Sequence, residues 1–217
     1  MTEFKLFTYW RSSAAYRVRI ALNLKGLDAE QVSVHLVRDG GEQHSEAYRS
    51  VNPNGLVPAL VHNGVTLSNS LAVIEYLDEL FPEPPLLPSD AASRARVRQI
   101  SQAIACDIHP LQNLRVLQYA ARGEEDEGKA MADWARHWIE IGFDGLEAQL
   151  AQEEATGKFC HGDEVTLADL CLVPQMGNAR RFEVDLARYP TLTRIDAEAS
   201  TLAAFEAAAP ANQPDAQ

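Results

Sequence analysis

The chain has 217 residues, 46% of them hydrophobic and 23% charged, with 19 basic against 31 acidic side chains and a formal net charge of −12. That length holds one or two domains with a real core, and the composition excludes whole-chain disorder. The acidic balance argues against a nucleic-acid or anionic-membrane partner, and an anionic small molecule would need local arginines to overcome the global field.

In chain order, residues 4–9 form a short β-rich run. Residues 13–25 read as a helix with Val18, Ala21 and Leu22 on one face and Gly26 as its stop. Residues 31–36 alternate Val32, Val34 and Leu36 as a strand should, and residues 42–50 allow a short helix. Residues 57–61 and 65–67 flank His62-Asn63-Gly64, a hairpin signal. Residues 69–80 read as a helix with Leu71, Ile74, Leu77 and Leu80 in register. A β-α-β-α-β-β-α order predicts a small sheet with helices packed on it.

Residues 81–88 are the most proline-dense stretch, and the domain boundary is placed there. The expected division is 1–82, a linker over 83–89, and a helical domain over 90–217. Within the last, Val97, Ile100, Ile104, Ile108 and Leu111 recur at spacings of three and four, with Pro110 as a kink. A long helix over residues 128–154 carries Trp134, Trp138 and Ile141, and the two tryptophans are assigned to the core. A third helix begins at Thr166, where Thr166-Leu167-Ala168-Asp169 matches a capping box. The tail over 210–217 is polar and reads as loose.

Cys106, Cys160 and Cys171 are scattered and odd in number, so neither a disulfide framework nor a zinc site is expected and a reducing compartment fits. Cys160-His161 lacks companion ligands, and Cys106 and Cys171 read as packing. No apolar run reaches the length of a membrane span, and the first residues lack a signal-peptide core. The cytoplasm is the expected location.

Three segments carry candidate chemistry. Ser12 and Ser13 join the first strand to the first helix, where free backbone amides can stabilise an anion, although a plain helix cap is the local expectation for a serine there. Pro58 enters a strand within Asn52-Pro53-Asn54-Gly55-Leu56-Val57-Pro58-Ala59-Leu60. An ordinary trans proline on an edge strand is the local expectation, whereas a cis Val57–Pro58 bond would present the Val57 backbone to an extended peptide. Ser68-Asn69-Ser70 offers polar groups at another helix start, able either to cap it or to hold a carboxylate.

In this order and spacing, these segments resemble the zeta class of the cytosolic glutathione transferases. Asp107-Ile108-His109-Pro110-Leu111-Gln112-Asn113, the stretch from Gly162 to Gln175, Asn178-Ala179-Arg180-Arg181-Phe182 and Gln213-Pro214-Asp215 extend the likeness over essentially the whole chain. The resemblance implies an α/β thioredoxin-like N-terminal domain, an all-α C-terminal domain and a homodimer. It implies glutathione as cofactor, with Ser12 facing the sulfur, Val57 and Pro58 at the cysteinyl backbone, and Asn69 and Ser70 at the γ-glutamyl end. Gln43 lies where it can reach the glycyl end, and His109, Gln112 and Asn113 lie where the helical domain approaches the cofactor.

The implied activity is glutathione-dependent cis–trans isomerisation of maleylacetoacetate in aromatic catabolism. Maleylpyruvate as substrate, a general conjugating transferase and a non-catalytic glutathione-binding module are the alternatives. A dicarboxylate substrate directs attention to arginines, and Arg11, Arg115 and Arg181 match substrate-contacting positions; Arg11 joins Ser12 as a catalytic candidate. Arg17 and Arg19 read as structural. One departure is plain: the class motif Ser-Ser-Cys is here Ser12-Ser13-Ala14, so any role of that cysteine is excluded.

Overall fold

A computed structural model describes residues 4–217. The chain divides into two compact units, residues 1–85 with 201–217, and residues 86–200. The closing segment therefore belongs with the sheet, whereas the sequence expectation places all of 90–217 in the helical half.

The first unit is built on four strands, β1 (Phe4–Thr8), β2 (Ala29–Ser33), β3 (Ala59–His62) and β4 (Val65–Ser68), in the order β2-β1-β3-β4. β1 runs parallel to β2 and antiparallel to β3, and β3 antiparallel to β4. The β3–β4 hairpin closes through Asn63 and Gly64, both at positive φ (49° and 78°), the turn that matches strand twist. Pro58 thus immediately precedes an interior strand rather than an edge one, where no ladder donor is lost. β2 ends at Ser33, short of the expected Leu36, and Val34 turns into a satellite core with Tyr9, Tyr48 and Val57.

α1 (Ser13–Leu24) packs against α3 (Ser70–Leu80) and, in the closing segment, against α9 (Ala203–Ala208). α2 (Glu46–Val51) follows a 3-10 turn over Glu42–His44. α3 buries Ser70, Val73, Ile74 and Leu77; Leu80, expected on that face, is the last residue of the helix and is 47% exposed. Lys25 caps α1, and its buried ammonium is satisfied by Asp78 Oδ1, the Phe81 carbonyl and the Pro84 carbonyl at 2.5–2.7 Å. This ties the start of the proline-dense segment to the sheet unit.

The tail is not loose. Gln213 is buried and donates to the Ala207 and Ala209 carbonyls, while Asp215 accepts from the Trp10 amide (3.1 Å) and the Ser33 hydroxyl (2.8 Å). Its polar residues are partners for loop backbone, which composition alone does not reveal.

The second unit holds α4 (Ala91–Gln102), α5 (Leu114–Ala120), α6 (Glu127–Gln152), α7 (Leu167–Arg181) and α8 (Pro190–Ser200). The kink expected at Pro110 is a larger departure: α4 passes into a π-helical turn over Ala103–Ile108 and then a 3-10 turn over His109–Gln112. α6 faces the core through Ala135, Ile139, Phe143, Leu146 and Leu150. Trp134 (37% exposed) and Ile141 (50% exposed) lie off that stripe, so the core assignment of Trp134 fails; its indole donates instead to the Leu111 carbonyl at 2.8 Å. Cys106 is exposed rather than packed, because it lies two residues from both Ile104 and Ile108 and so opposite the apolar stripe they continue; Cys160 and Cys171 are buried. Among the described residues, no helix is long and apolar enough to cross a membrane.

α7 begins as Thr166 predicts. The capping box forms, with Asp169 Oδ2 accepting from the Thr166 amide and hydroxyl at 2.8 and 3.0 Å. Asp169 Oδ1 also takes the Cys160 amide at 2.8 Å, which fastens the preceding loop to the helix. Burial pushes both the Asp169 carboxyl and the Cys160 thiol upward. Asp169→Ala strands these donors in a fully buried site and is expected to cost about 2–4 kcal/mol, read as a lower denaturation midpoint in urea.

Candidate active site

The strand register gathers five candidate positions at one edge of the sheet. Thr8 pairs with Ser33, Phe7 with Ala59, and Ala59 with Ser68. The chain therefore leaves β1 toward Ser12, leaves β2 toward Gln43, enters β3 from Pro58 and leaves β4 toward Asn69 and Ser70, all at that edge. Neighbouring strands lie about 4.8 Å apart, so the edge spans roughly 15 Å.

Ser12 is the N-cap of α1. Its Oγ accepts from the Ala15 amide at 3.2 Å, and its own amide donates to the Tyr9 carbonyl at 2.9 Å. Capping and chemistry are compatible here. A serine oxygen engaged as acceptor still has its O–H to donate, and the helix start adds partial positive charge. Arg11 is half-buried, with its guanidinium 5.4 Å from the Trp10 ring centroid. Ala14, where the class motif carries cysteine, offers no thiol.

Val57–Pro58 is cis, and Val57 is buried at the head of β3. Asn69 caps α3 from φ +76°, a left-handed conformation rare outside glycine, with its side chain accepting from the Leu71 amide at 3.3 Å. Ser70 is buried, and its Oγ accepts from Arg17 Nη1 at 3.2 Å. The Arg17 guanidinium thus adds a buried positive charge behind the α3 N-terminus and leaves the Ser70 proton for a carboxylate. The Arg17–Ser70 contact is not legible in the sequence; charged side chains are seldom buried, and the packing of α1 on α3 brings the two together.

Gln43 is buried on the Glu42–His44 turn, with Nε2 donating to the Leu36 carbonyl at 3.1 Å and Oε1 without a protein partner. Gly41, at φ +103°, lies so close that any Cβ there would collide with the Gln43 amide. A buried, half-satisfied amide in a cradle kept open by glycine fits a polar ligand backbone.

The remaining candidates lie in the helical unit. His109, Gln112 and Asn113 follow one another on the 3-10 turn that ends at the N-cap of α5, and Arg115 is exposed two residues further on, in the first turn of α5. Gln112 is buried with neither amide atom partnered by protein. α6 seats this segment twice, by the Trp134–Leu111 hydrogen bond and by Gly142, where a Cβ would strike Ile108. Arg181 closes α7, exposed, 4.9 Å from the Phe182 ring centroid. Arg180 pairs with the buried Asp196. Cys160-His161 is absorbed by structure, with Arg96 donating to the Cys160 carbonyl and lying 3.1 Å from His161 Nδ1.

A mixed four-stranded sheet with a cis-proline, a serine-capped helix and a second helical unit defines a thiol-binding enzyme of the glutathione transferase type. Residues 6–85 match the glutathione S-transferase N-terminal domain family. A probable maleylacetoacetate isomerase of Vibrio cholerae is 51% identical over 218 residues, covering 100% of both chains. The holo structure of a bacterial zeta-class maleyl pyruvate isomerase superposes with a TM-score of 0.94 at 46% identity, covering 98% of this chain and 100% of that one. The maleylacetoacetate isomerase of Methylobacterium extorquens AM1, solved with malonate and glutathione, gives 0.93 at 42% identity, covering 98% and 99%. The chain belongs to the zeta class of the glutathione transferases.

If Ser70 and Arg17 hold the amino-acid end of glutathione, Ser70→Ala is expected to raise the KM for glutathione about tenfold with kcat changed less than threefold. Steady-state kinetics at varied glutathione concentration checks this.

Proposed function

We propose that the protein is a glutathione-dependent cis–trans isomerase of maleylacetoacetate, acting as a cytoplasmic homodimer. The observation that carries this reading is the edge at which Ser12, Gln43, Val57, Asn69 and Ser70 converge. Relatives matched over the full chain bear that activity in their names. Dimerisation rests on the family resemblance, and the cytoplasm on cysteine usage.

Glutathione supplies a thiolate whose reversible addition to the conjugated double bond makes that bond single and free to rotate. The chain's own contribution is to hold and ionise the thiol. A thiol of pKa about 8.5 is only about 3% ionised at pH 7, and a fall of about two units makes it mostly thiolate. The Ser12 hydroxyl and the α1 N-terminus stabilise the anion. Arg11, Arg115 and Arg181 bind the substrate carboxylates, Arg11 from beside Ser12. Malonate, found with glutathione in the Methylobacterium relative, is itself a dicarboxylate.

Maleylpyruvate is the second reading, favoured by the 0.94 superposition on the maleyl pyruvate isomerase. A spectrophotometric assay of both cis substrates, with and without glutathione, separates the readings. Fast glutathione-dependent loss of maleylacetoacetate is expected, and loss of maleylpyruvate alone would select the second reading.

Two variants test the residues. Ser12→Ala is expected to lose about 10- to 30-fold in kcat/KM at pH 7, with the pH–rate inflection moving up toward about 8.5. The activity below that inflection falls because the thiol is protonated there, so a loss that disappears at high pH identifies thiol ionisation rather than helix capping. Arg181→Ala is expected to reduce kcat/KM for the dicarboxylate about ten- to hundredfold without changing glutathione binding.

A further inference from the structure

The loop that carries Arg11 and Ser12 is held by two charged side chains the reaction does not use. The Trp10 peptide is gripped on both sides. Its N–H donates to Asp215 Oδ2 at 3.1 Å, and its C=O accepts from Arg19 Nη2 at 3.0 Å. Arg19 is buried and also donates to Thr8 Oγ1, the Tyr9 carbonyl and the Ala208 carbonyl at 3.0–3.4 Å. The Tyr9 carbonyl is the same one that takes the Ser12 amide. Burial lowers the Arg19 guanidinium to about 10, and the attraction of Asp215 opposes that fall, so the guanidinium stays charged at neutral pH.

The cap on Ser12 is therefore fixed from two directions. Arg19 reaches it from inside α1, and Asp215 reaches it from the last residues of the chain. Asp215 gets there because α9 packs on α1, with Tyr16 donating to the Phe205 carbonyl (3.2 Å) and Asn23 to the Ala204 carbonyl (2.9 Å). The same carboxylate oxygen takes the Ser33 hydroxyl, which joins the loop to the end of β2.

We propose that Asp215, working against Arg19, is a positioning residue for the isomerase reaction: the C-terminal segment clamps the Trp10 peptide and so sets Arg11 and Ser12 against the bound thiol. This rests on the function proposed above. A displacement of a catalytic group by about 1 Å costs up to about a hundredfold in rate, so a two-sided clamp has a kinetic effect well beyond its share of stability.

The test compares the wild-type chain with Asp215→Ala, Asp215→Asn and Arg19→Lys well below their melting temperatures. For Asp215→Ala, kcat is expected to fall about tenfold while the glutathione KM stays within about twofold. The ultraviolet titration of the bound thiolate should move upward toward about 8.5, and the amides of residues 10–12 should exchange faster. Asp215→Asn keeps an oxygen acceptor and should recover most of the rate; Arg19→Lys, with one donor group instead of a fork, should not. A lower melting temperature with kcat, thiol titration and amide exchange all unchanged would overturn the proposal. If the wild-type chain isomerises neither substrate, the function reading falls by itself, and amide exchange and thiol titration still decide the role of Asp215.

Discussion

In a sheet of order β2-β1-β3-β4, the pairing of β1 parallel to β2 and antiparallel to β3 decides where each connecting segment begins. Shifting β1 by one residue would turn Phe4 and Leu6 out of the core and carry Ser12 away from the head of β3. Burial of those two side chains therefore fixes the site's geometry as well as the unit's stability. The helix caps, the cis-proline and the Gln43 cradle are refinements on an edge that the register has already defined.

α1 is the second organising element. Three of its cations are buried, and each reaches a different part of the unit: Arg17 the start of α3, Arg19 the loop after β1 and the end of α9, Lys25 the segment after α3. Burying a charge costs several kcal/mol unless its hydrogen bonds are replaced. For Arg19 and Lys25 the replacements are mostly backbone carbonyls, which fixes main-chain position rather than side-chain position. In an acidic chain, Arg17 and Arg19, in the first half of the helix, also place positive charge behind the edge that an anionic ligand would approach, whereas Lys25 lies at the far end and is paired with Asp78.

Features decided by neighbours in sequence were legible from the sequence. Asn63-Gly64 specifies its turn through backbone conformation, Thr166 and Asp169 specify a helix start through two hydrogen bonds, and Gly26 ends α1 at φ +63°. The order of elements followed for the same reason. What escaped was decided by contacts distant in sequence. The tail over 210–217 is polar because it binds loop backbone, and a polar composition reads equally as solvated chain. Trp134 is four residues from Trp138, as two core residues would be, yet it lies off the buried stripe and serves the Leu111 carbonyl, and Cys106 lies opposite the buried Ile104 and Ile108. Of the candidate site residues, those at strand ends and helix caps could be placed by local pattern. Gln43 and the arginines rested on family likeness alone, since nothing local distinguishes them from surface side chains.

The sheet unit is discontinuous in the chain, and this bears on its biogenesis. Residues 86–200 form a continuous unit whose contacts are complete once they have been synthesised. The sheet and its first three helices emerge earlier, but the face of α1 that α9 covers and the amide that Asp215 receives must wait until residues 203–215 have been synthesised. The N-terminal half is thus made first and finished last. While residues 86–200 are being made, the nascent sheet unit carries a helix face whose partners, the carbonyls of residues 204, 205 and 208, do not yet exist.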